Sequence, residues 1–372
     1  MSTTITDLAK MLRLGPVMGQ FHPLVPICLS ETVEIIASPE RLIEELDAPV
    51  PHHERAILIT QFEPKFSHRF QTLNHPSCPP AEPINQNLPH QVDKARTWLL
   101  TNHGVADRIV ADTRKKHYEA VILLLVDGLS YADVLDWPEL PEPCFIDGPS
   151  ITFSRTPDGK IDPQVGFPAI VGIPSLARRL MDVGLPRSRG YSYWQRSRND
   201  VSERLFEGVP LEKVAELEVS FDAIKRLDLK GFFVQLVREG LDGLAHSRRE
   251  VSIGEIQATI KAIRDDFRYL IDLLVEKQIR GAVYLVADHG ILWKNQHHWQ
   301  VIDSNDAKRP RYATSSPNKP DFTTRFHSDQ QRFYLWRYPY LGRPIRANDS
   351  GVHGGLSYWE SIVPFIRVEV NR

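Results

Sequence analysis

From residue 119 onward the chain alternates between unbroken apolar runs and amphipathic segments. AVILLLV occupies 120–126 and ends on Asp127; GFFVQLV covers 231–237; GAVYLVADHG covers 281–290. Apolar runs of this length without a polar interruption predict strands buried on both faces, as in a parallel sheet. FYLW (333–336) and IRVEV (366–370) read as further strands. Ile256, Ile260, Ile263, Phe267, Ile271 and Leu274 recur at spacings of three and four, which predicts an amphipathic helix of about five turns. AIVGIPSLARRLMDV (169–183) predicts a helix broken or bent near Pro174. In GYSYWQRSRND (190–200) the Tyr/Trp alternation suits a half-buried strand, and the same segment could present aromatic and basic groups. Strands alternating with helices predict an α/β fold with a central, mostly parallel sheet. In such sheets ligands gather at the carboxyl ends of strands, where Asp127 and Asp288 sit.

Residues 1–118 read differently. Pro76, Pro79, Pro80, Pro83 and Pro89 break up any long helix or central strand. The expectation is an N-terminal Pro-rich region of short helices and loops over 1–118, helical from Val92 to Tyr118, then one large domain over 119–372.

Composition narrows the classes. The 372 residues are 42% hydrophobic and 25% charged, enough to bury a core, and this excludes a disordered or collagen-like chain. Three cysteines without a CxxC pair exclude a disulfide framework and a thiolate zinc site. The run at 120–126 falls far short of the roughly 20 apolar residues of a membrane span, and MSTTITDLAKMLRLGPVMGQ lacks a secretory pattern, so the expected location is cytoplasmic with no membrane partner. No GxxxxGK[ST] or GxGxxG occurs, which argues against ATP-driven work and nicotinamide chemistry. The net charge of -2 excludes a whole-protein basic field. Locally the balance differs. Residues 291–345 carry nine Lys and Arg against four Asp, interleaved with Trp293, His297, His298, Trp299 and Tyr312. Such a basic insertion either holds a nucleic-acid backbone or is a solvated loop; Lys294, His297, His298, Arg309 and Arg311 are its candidate substrate contacts.

Four segments are dense in metal-ligand types: Asp127 at a strand end, Asp242 and His246 in D-x-x-x-H, Asp288 and His289 in ADHG, and His353 in HGGLSYWESIVP. Carboxylate and imidazole together suit Zn²⁺ or Mn²⁺. Spacing i, i+4 puts Asp242 and His246 on one side of a helical turn. Singly, each segment reads as well as a turn or a solvated face.

The order strand–DG, D-x-x-x-H, strand–ADHG and HGGLS resembles the alkaline phosphatase superfamily, and HGGLSYWESIVPFI is most similar to its PglZ branch, known from BREX-type phage defence. The resemblance implies a three-layer sandwich and two divalent ions, Zn²⁺ or Mn²⁺. Asp127, Asp288 and His289 would hold one ion, and Asp242, His246 and His353 the other. It implies a two-metal hydrolase of phosphate esters, a phosphodiesterase or nuclease, acting with other defence-system proteins. The nucleophile implied by Pro149-Ser150-Ile151-Thr152 is Thr152, with Ser154 and Thr156 as rivals, because relatives place the hydroxyl where this chain has Gly166. That departure opens a second reading, a catalytically impaired scaffold subunit. A third is a serine hydrolase using Ser130, Asp288 and His353, since Gly128–Ala132 approximates a nucleophile elbow.

Overall fold

The computed structural model describes residues 5–13, 17–18, 33–36, 56–59, 71–72, 88, 100–135, 137, 142–145, 166–192, 205–213, 217–247, 249–302, 309–327 and 332–371. Thr152, Ser154 and Thr156 lie outside them. The chain divides into two compact units, Met1–Leu99 and Leu100–Arg372.

The first unit has one described helix of regular length, α1 (Ile5–Leu12), and four short strands: β1 (Val17–Met18), β2 (Val33–Ile36), β3 (Ala56–Ile59) and β4 (Gln71–Thr72). They pair in the order β2-β3-β1-β4, all parallel. Where the sequence predicts short helices and loops, VEII and AILI form strands. Runs of two to four residues are too short for their periodicity to separate the alternatives.

The second unit is built on an eight-stranded sheet. Its elements begin with β5 (Leu100–Thr101), α2 (Asn102–Lys116), β6 (Ala120–Asp127), β7 (Glu142–Phe145), α3 (Phe167–Val171) and α4 (Leu176–Met181). β8 (Arg187–Ser192), β9 (Leu211–Lys213), α5 (Leu217–Arg226), β10 (Phe232–Glu239), α6 (Asp242–Ala245), α7 (Ile253–Glu276) and β11 (Gly281–Ala287) follow. The sheet order is β5-β7-β19-β11-β6-β10-β8-β9, where β19 (Ile362–Val370) alone runs against the rest. β6, β10 and β11 are buried along almost their whole length, as their apolar runs require.

From β5 and from β7 the chain crosses the sheet one way, to β6 and to β8 and β9; from β9 it returns the other way, to β10 and then to β11 on the far side of β6. Right-handed crossovers in opposite directions put helices on opposite faces. Side-chain contacts agree. Phe221 of α5 stacks on Tyr269 of α7 with ring centroids 4.6 Å apart, while Asp107 of α2 pairs with Arg179 of α4 at 2.5 Å. The result is a three-layer α/β sandwich with a mostly parallel sheet.

Helix α7 starts on a reciprocal cap between Ser252 and Glu255 and buries Ile256, Ile263, Phe267 and Leu274. The helix predicted over 169–183 is broken near Pro174, as expected, into α3 and α4. Gly172 (φ +72) and Pro174 interrupt it, and the Ser175 hydroxyl restarts it by accepting from Arg178 N. Residues 291–345 contribute β12 (Leu292–Trp293), β13 (Gln300–Val301), β14 (Tyr312–Ala313), β15 (Thr323–His327), β16 (Arg332–Trp336) and β17 (Tyr340–Leu341), followed by β18 (Gly351–Val352) and α8 (Tyr358–Ser361). β14, β16 and β15 form an antiparallel sheet, and β12 pairs with β18. No described helix is long and apolar enough to cross a membrane.

Candidate metal centre

Register decides where the chemistry collects. Glu239 ends β10 opposite Asp127 on β6, and Ala287 of β11 lies opposite Val126, so Asp288 and His289 emerge beside Asp127. These are the carboxyl ends of three adjacent parallel strands, the edge of an α/β sheet where ligands gather. Gly128 makes the approach possible. Its φ is +80°, and a Cβ there would lie 2.9 Å from the Asp242 backbone nitrogen. The turn is stitched to both neighbours, Leu129 N donating to His289 O (2.7 Å) and Leu241 N to Gly128 O (2.8 Å).

Asp242 opens the one-turn helix α6 and His246 caps its end. Their i, i+4 spacing leaves His246 Nε2 3.5 Å from Asp242 Oδ1. His353, just past β18, puts Nε2 3.2 Å from the same oxygen, and its ring stacks on His289 with centroids 4.1 Å apart and planes 13° from parallel. His289 Nε2 lies 3.4 Å from Asp127 Oδ1 and 3.7 Å from Asp288 Oδ1. All six sequence-marked residues therefore meet at one edge of the sheet. Two groups present ligand atoms within 4.8 Å of one another: Asp242 with His246 and His353, and Asp127 with Asp242 and His289. Asp242 is common to both. Asp288 Oδ1 instead accepts from His289 N (3.0 Å) and Gly128 N (3.4 Å).

The electrostatics are strained in one direction. Burial, reinforced by Asp127, pushes the Asp242 carboxyl up to about 6, against the opposing pull of His289 and His246. Burial pushes Asp288 up to about 7, and His289 opposes it. Burial alone would lower His289, yet Asp288, Asp127 and Asp242 outweigh it and hold the imidazole at about 10. Glu239, unmarked in the sequence reading, is also pushed up, by burial and then by Asp127. Crowded carboxylates of this kind resist ionising together. Asp242 Oδ1 is buried and receives no hydrogen bond. A divalent cation answers both conditions, and oxygen–nitrogen donor sets of this kind fit Zn²⁺ or Mn²⁺.

Sequence reasoning missed Asp349, whose Oδ2 lies 3.7 Å from His246 Nδ1. It also missed Glu360. Arg311, expected to touch substrate, is fully buried and forms a two-pronged pair with Glu360, Nε to Oε1 at 2.8 Å and Nη2 to Oε2 at 2.7 Å, while Nη1 donates to Tyr340 O. Its donors are committed inside the protein, which corrects that expectation. Glu360 further accepts from Gly355 N (3.1 Å) and Ser357 Oγ (2.6 Å), and its carbonyl accepts from Gly290 N (2.9 Å). The pair thus fastens the HGG segment to the ADHG segment. The remaining insertion candidates differ among themselves. Lys294, His298 and Arg309 are exposed, whereas His297 is half-buried against Trp359 (4.0 Å between centroids) and Tyr338.

Ser130 lies on the turn that follows β6. Only 2% exposed, it caps a 3₁₀ turn, its hydroxyl accepting from Ala132 N and its own N–H donating to Asp133. His353 Nε2 faces Asp242 Oδ1.

No protein-family model matches the chain, and no curated protein matches it. Among solved structures it is similar to murine ectonucleotide pyrophosphatase/phosphodiesterase 5 (TM-score 0.43, 13% identity, covering 67% of this chain and 87% of that one). The human protein of that name gives a TM-score of 0.41 at 12% identity, with the same coverages. The C-terminal periplasmic domain of phosphoethanolamine transferase EptC from Campylobacter jejuni gives 0.35 at 12%, covering 68% and 80%. At those scores nothing is carried from them to this chain.

Proposed function

We propose that the chain is a divalent-metal-dependent hydrolase of phosphate esters, phosphodiesters before monoesters. One observation carries this reading: two oxygen–nitrogen donor groups, sharing Asp242, at the carboxyl edge of a parallel sheet. Asp127, Asp242 and His289 would hold one ion, and Asp242, His246 and His353 the other. Two such ions, when bound, supply charge stabilisation to phosphoryl oxygens and acidify an attacking hydroxyl. The protein's own part is orientation. Asp288, tied to Gly128 N and His289 N, fixes the ADHG turn. Arg311 and Glu360 hold His353's segment against that turn.

Thr152 is the proposed nucleophile, with Ser154 and Thr156 as rivals. The net basic insertion supports a nucleic-acid diester as substrate, contacted by Lys294, His298 and Arg309. The PglZ-like HGGLSYWESIVPFI supports a cytoplasmic place in a phage-defence complex, with Zn²⁺ as the metal or Mn²⁺ in its stead.

A second reading is favoured by one feature. Gly166, where a hydroxyl is expected before α3, has φ 66° and ψ −146°, a backbone conformation proper to glycine. The chain would then be a scaffold with a silent site. Metal analysis and hydrolysis decide between the two. The enzyme reading expects about two Zn or Mn per chain and chelator-sensitive turnover of a chromogenic phosphodiester above the matching monoester and sulfate ester. Two bound ions with no turnover of any ester would support the scaffold. No metal uptake at all overturns the metal-centre assignment.

A further inference from the structure

We infer that Asp349 is a positioning residue that aims His246 at the ion held by Asp242, His246 and His353; this rests on the metal reading above. The His246 ring stands between two carboxylates. Its Nε2 faces Asp242 Oδ1 at 3.5 Å, and its Nδ1 faces Asp349 Oδ2 at 3.7 Å. An imidazole that ligates through one nitrogen needs its other N–H held by an acceptor, which fixes both tautomer and ring orientation and makes the ligating nitrogen more basic. Asp349 is the group placed to do this for His246, which is exposed at the end of a one-turn helix and packs edge-on against the His353 ring (5.5 Å between centroids).

The backbone shows that this placement is built. Asp349 is only 9% exposed, and its N–H donates to Arg346 O at 3.1 Å. The next residue is sewn to the loop that carries His246. Ser350 N donates to Ala245 O (2.9 Å), Ser350 Oγ donates to Arg249 O (2.7 Å), and Val251 N donates to Ser350 Oγ (3.1 Å). Ser350 O also accepts from Lys294 N at 2.9 Å, beside β12. Gly351 permits the contact, since a Cβ there would meet Ala245 Cβ at 3.1 Å. Four residues after Asp349 the same run delivers His353. One short segment therefore supplies a ligand to the site and the group that orients a second ligand, so both arrive in fixed relation.

The test measures metal binding rather than turnover. Zn²⁺ is titrated into the metal-free full chain against a chromophoric chelator, for wild type, Asp349→Ala, Asp349→Asn and His246→Ala. The expected result is a loss of roughly 10–100-fold in affinity for one ion in Asp349→Ala, with the other unchanged. Asp349→Asn keeps the shape and an acceptor oxygen but not the charge, so it falls between Ala and wild type, and it carries the test should Ala fail to fold. A purely structural residue would lower affinity whether or not His246 is present. A positioning residue has nothing left to aim, so adding Asp349→Ala to His246→Ala costs no further affinity. Wild-type affinity for both ions in both Asp349 variants, or an undiminished loss in the His246→Ala background, overturns the inference. Failure of the wild type to bind any ion overturns this inference together with the proposed function, whereas two ions bound equally by wild type and Asp349 variants overturns this inference alone.

Discussion

Two buried charged assemblies sit on adjacent segments of this protein and are balanced in opposite ways. Arg311 and Glu360, both fully buried, pair one to one, with backbone and hydroxyl donors filling the remaining acceptor positions of the carboxylate. Asp127, Asp242 and Asp288 crowd around His289 with a surplus of negative charge, and burial, reinforced by that crowding, pushes two of those carboxyls upward. The first arrangement is closed: adding a ligand would break something. The second is short of positive charge. That contrast is what separates scaffold from site here, since burial and residue type alone would have grouped both assemblies together.

Substitution should break the two assemblies in different currencies. Asp242→Ala removes the oxygen common to both ligand groups. It is expected to lower phosphodiester turnover by at least about 10³-fold, equivalent to about 4 kcal/mol of transition-state stabilisation. Without metal it should melt no lower than wild type, because a crowded charge has gone. Glu360→Ala does the reverse. It strands the Arg311 guanidinium in the core and is expected to cost about 3–5 kcal/mol of folding stability by urea unfolding. Were Asp242→Ala the variant that unfolds, and Glu360→Ala the one that merely loses turnover, the distinction between the two assemblies would be lost.

How much of this the sequence discloses follows from range. The sheet strands β6, β10 and β11 are legible because each is an apolar run long enough to show no period of its own, and the residues just past them carry the chemistry. Asp242 and His246 are legible through a local spacing. Arg311 is misread because its partner lies 49 residues away and nothing at position 311 announces burial; a charged residue in a basic stretch looks solvated. Glu360 is hidden by its own motif, where it reads as one more polar residue between aromatics. Asp349 is invisible for the same reason, its target lying across a loop from a distant helix. Pairings fixed by tertiary contact leave no trace in the pattern along the chain.

A smaller effect sharpens the comparison on the scaffold side. Gly355 lies so close to the Arg311 guanidinium that a Cβ would collide with it. Gly355→Ala should therefore loosen the Arg311–Glu360 pair without removing either charge. Its expected cost is about 1–3 kcal/mol, the range for overpacking a close-packed site, read again by urea unfolding. A variant as stable as the wild type would mean that the guanidinium can shift freely, and that the pair is less tightly held than its geometry implies.

His297 offers the smallest effect, in pH rather than in packing. Burial against Trp359 and Tyr338 pulls its imidazole down to about 4, and the nearby charge of Glu360 opposes that only in part. The folded protein thus refuses a proton that the unfolded chain, titrating near 6.5, accepts. Between those two values the unfolded state binds more protons, so stability declines as pH falls from about 6.5 toward 4 and is unaffected by this group above about 7. The full shift corresponds to about 3 kcal/mol, and partial exposure reduces the expected contribution to about 1 kcal/mol. His297→Phe keeps a ring in the aromatic cluster and cannot titrate. With chelator present throughout to hold the metal groups constant, the difference in unfolding free energy between variant and wild type should grow in the variant's favour as the solution is acidified. If that difference stays flat from pH 7 to pH 4, His297 is not held neutral by its burial, and its place in the insertion is that of a solvated histidine.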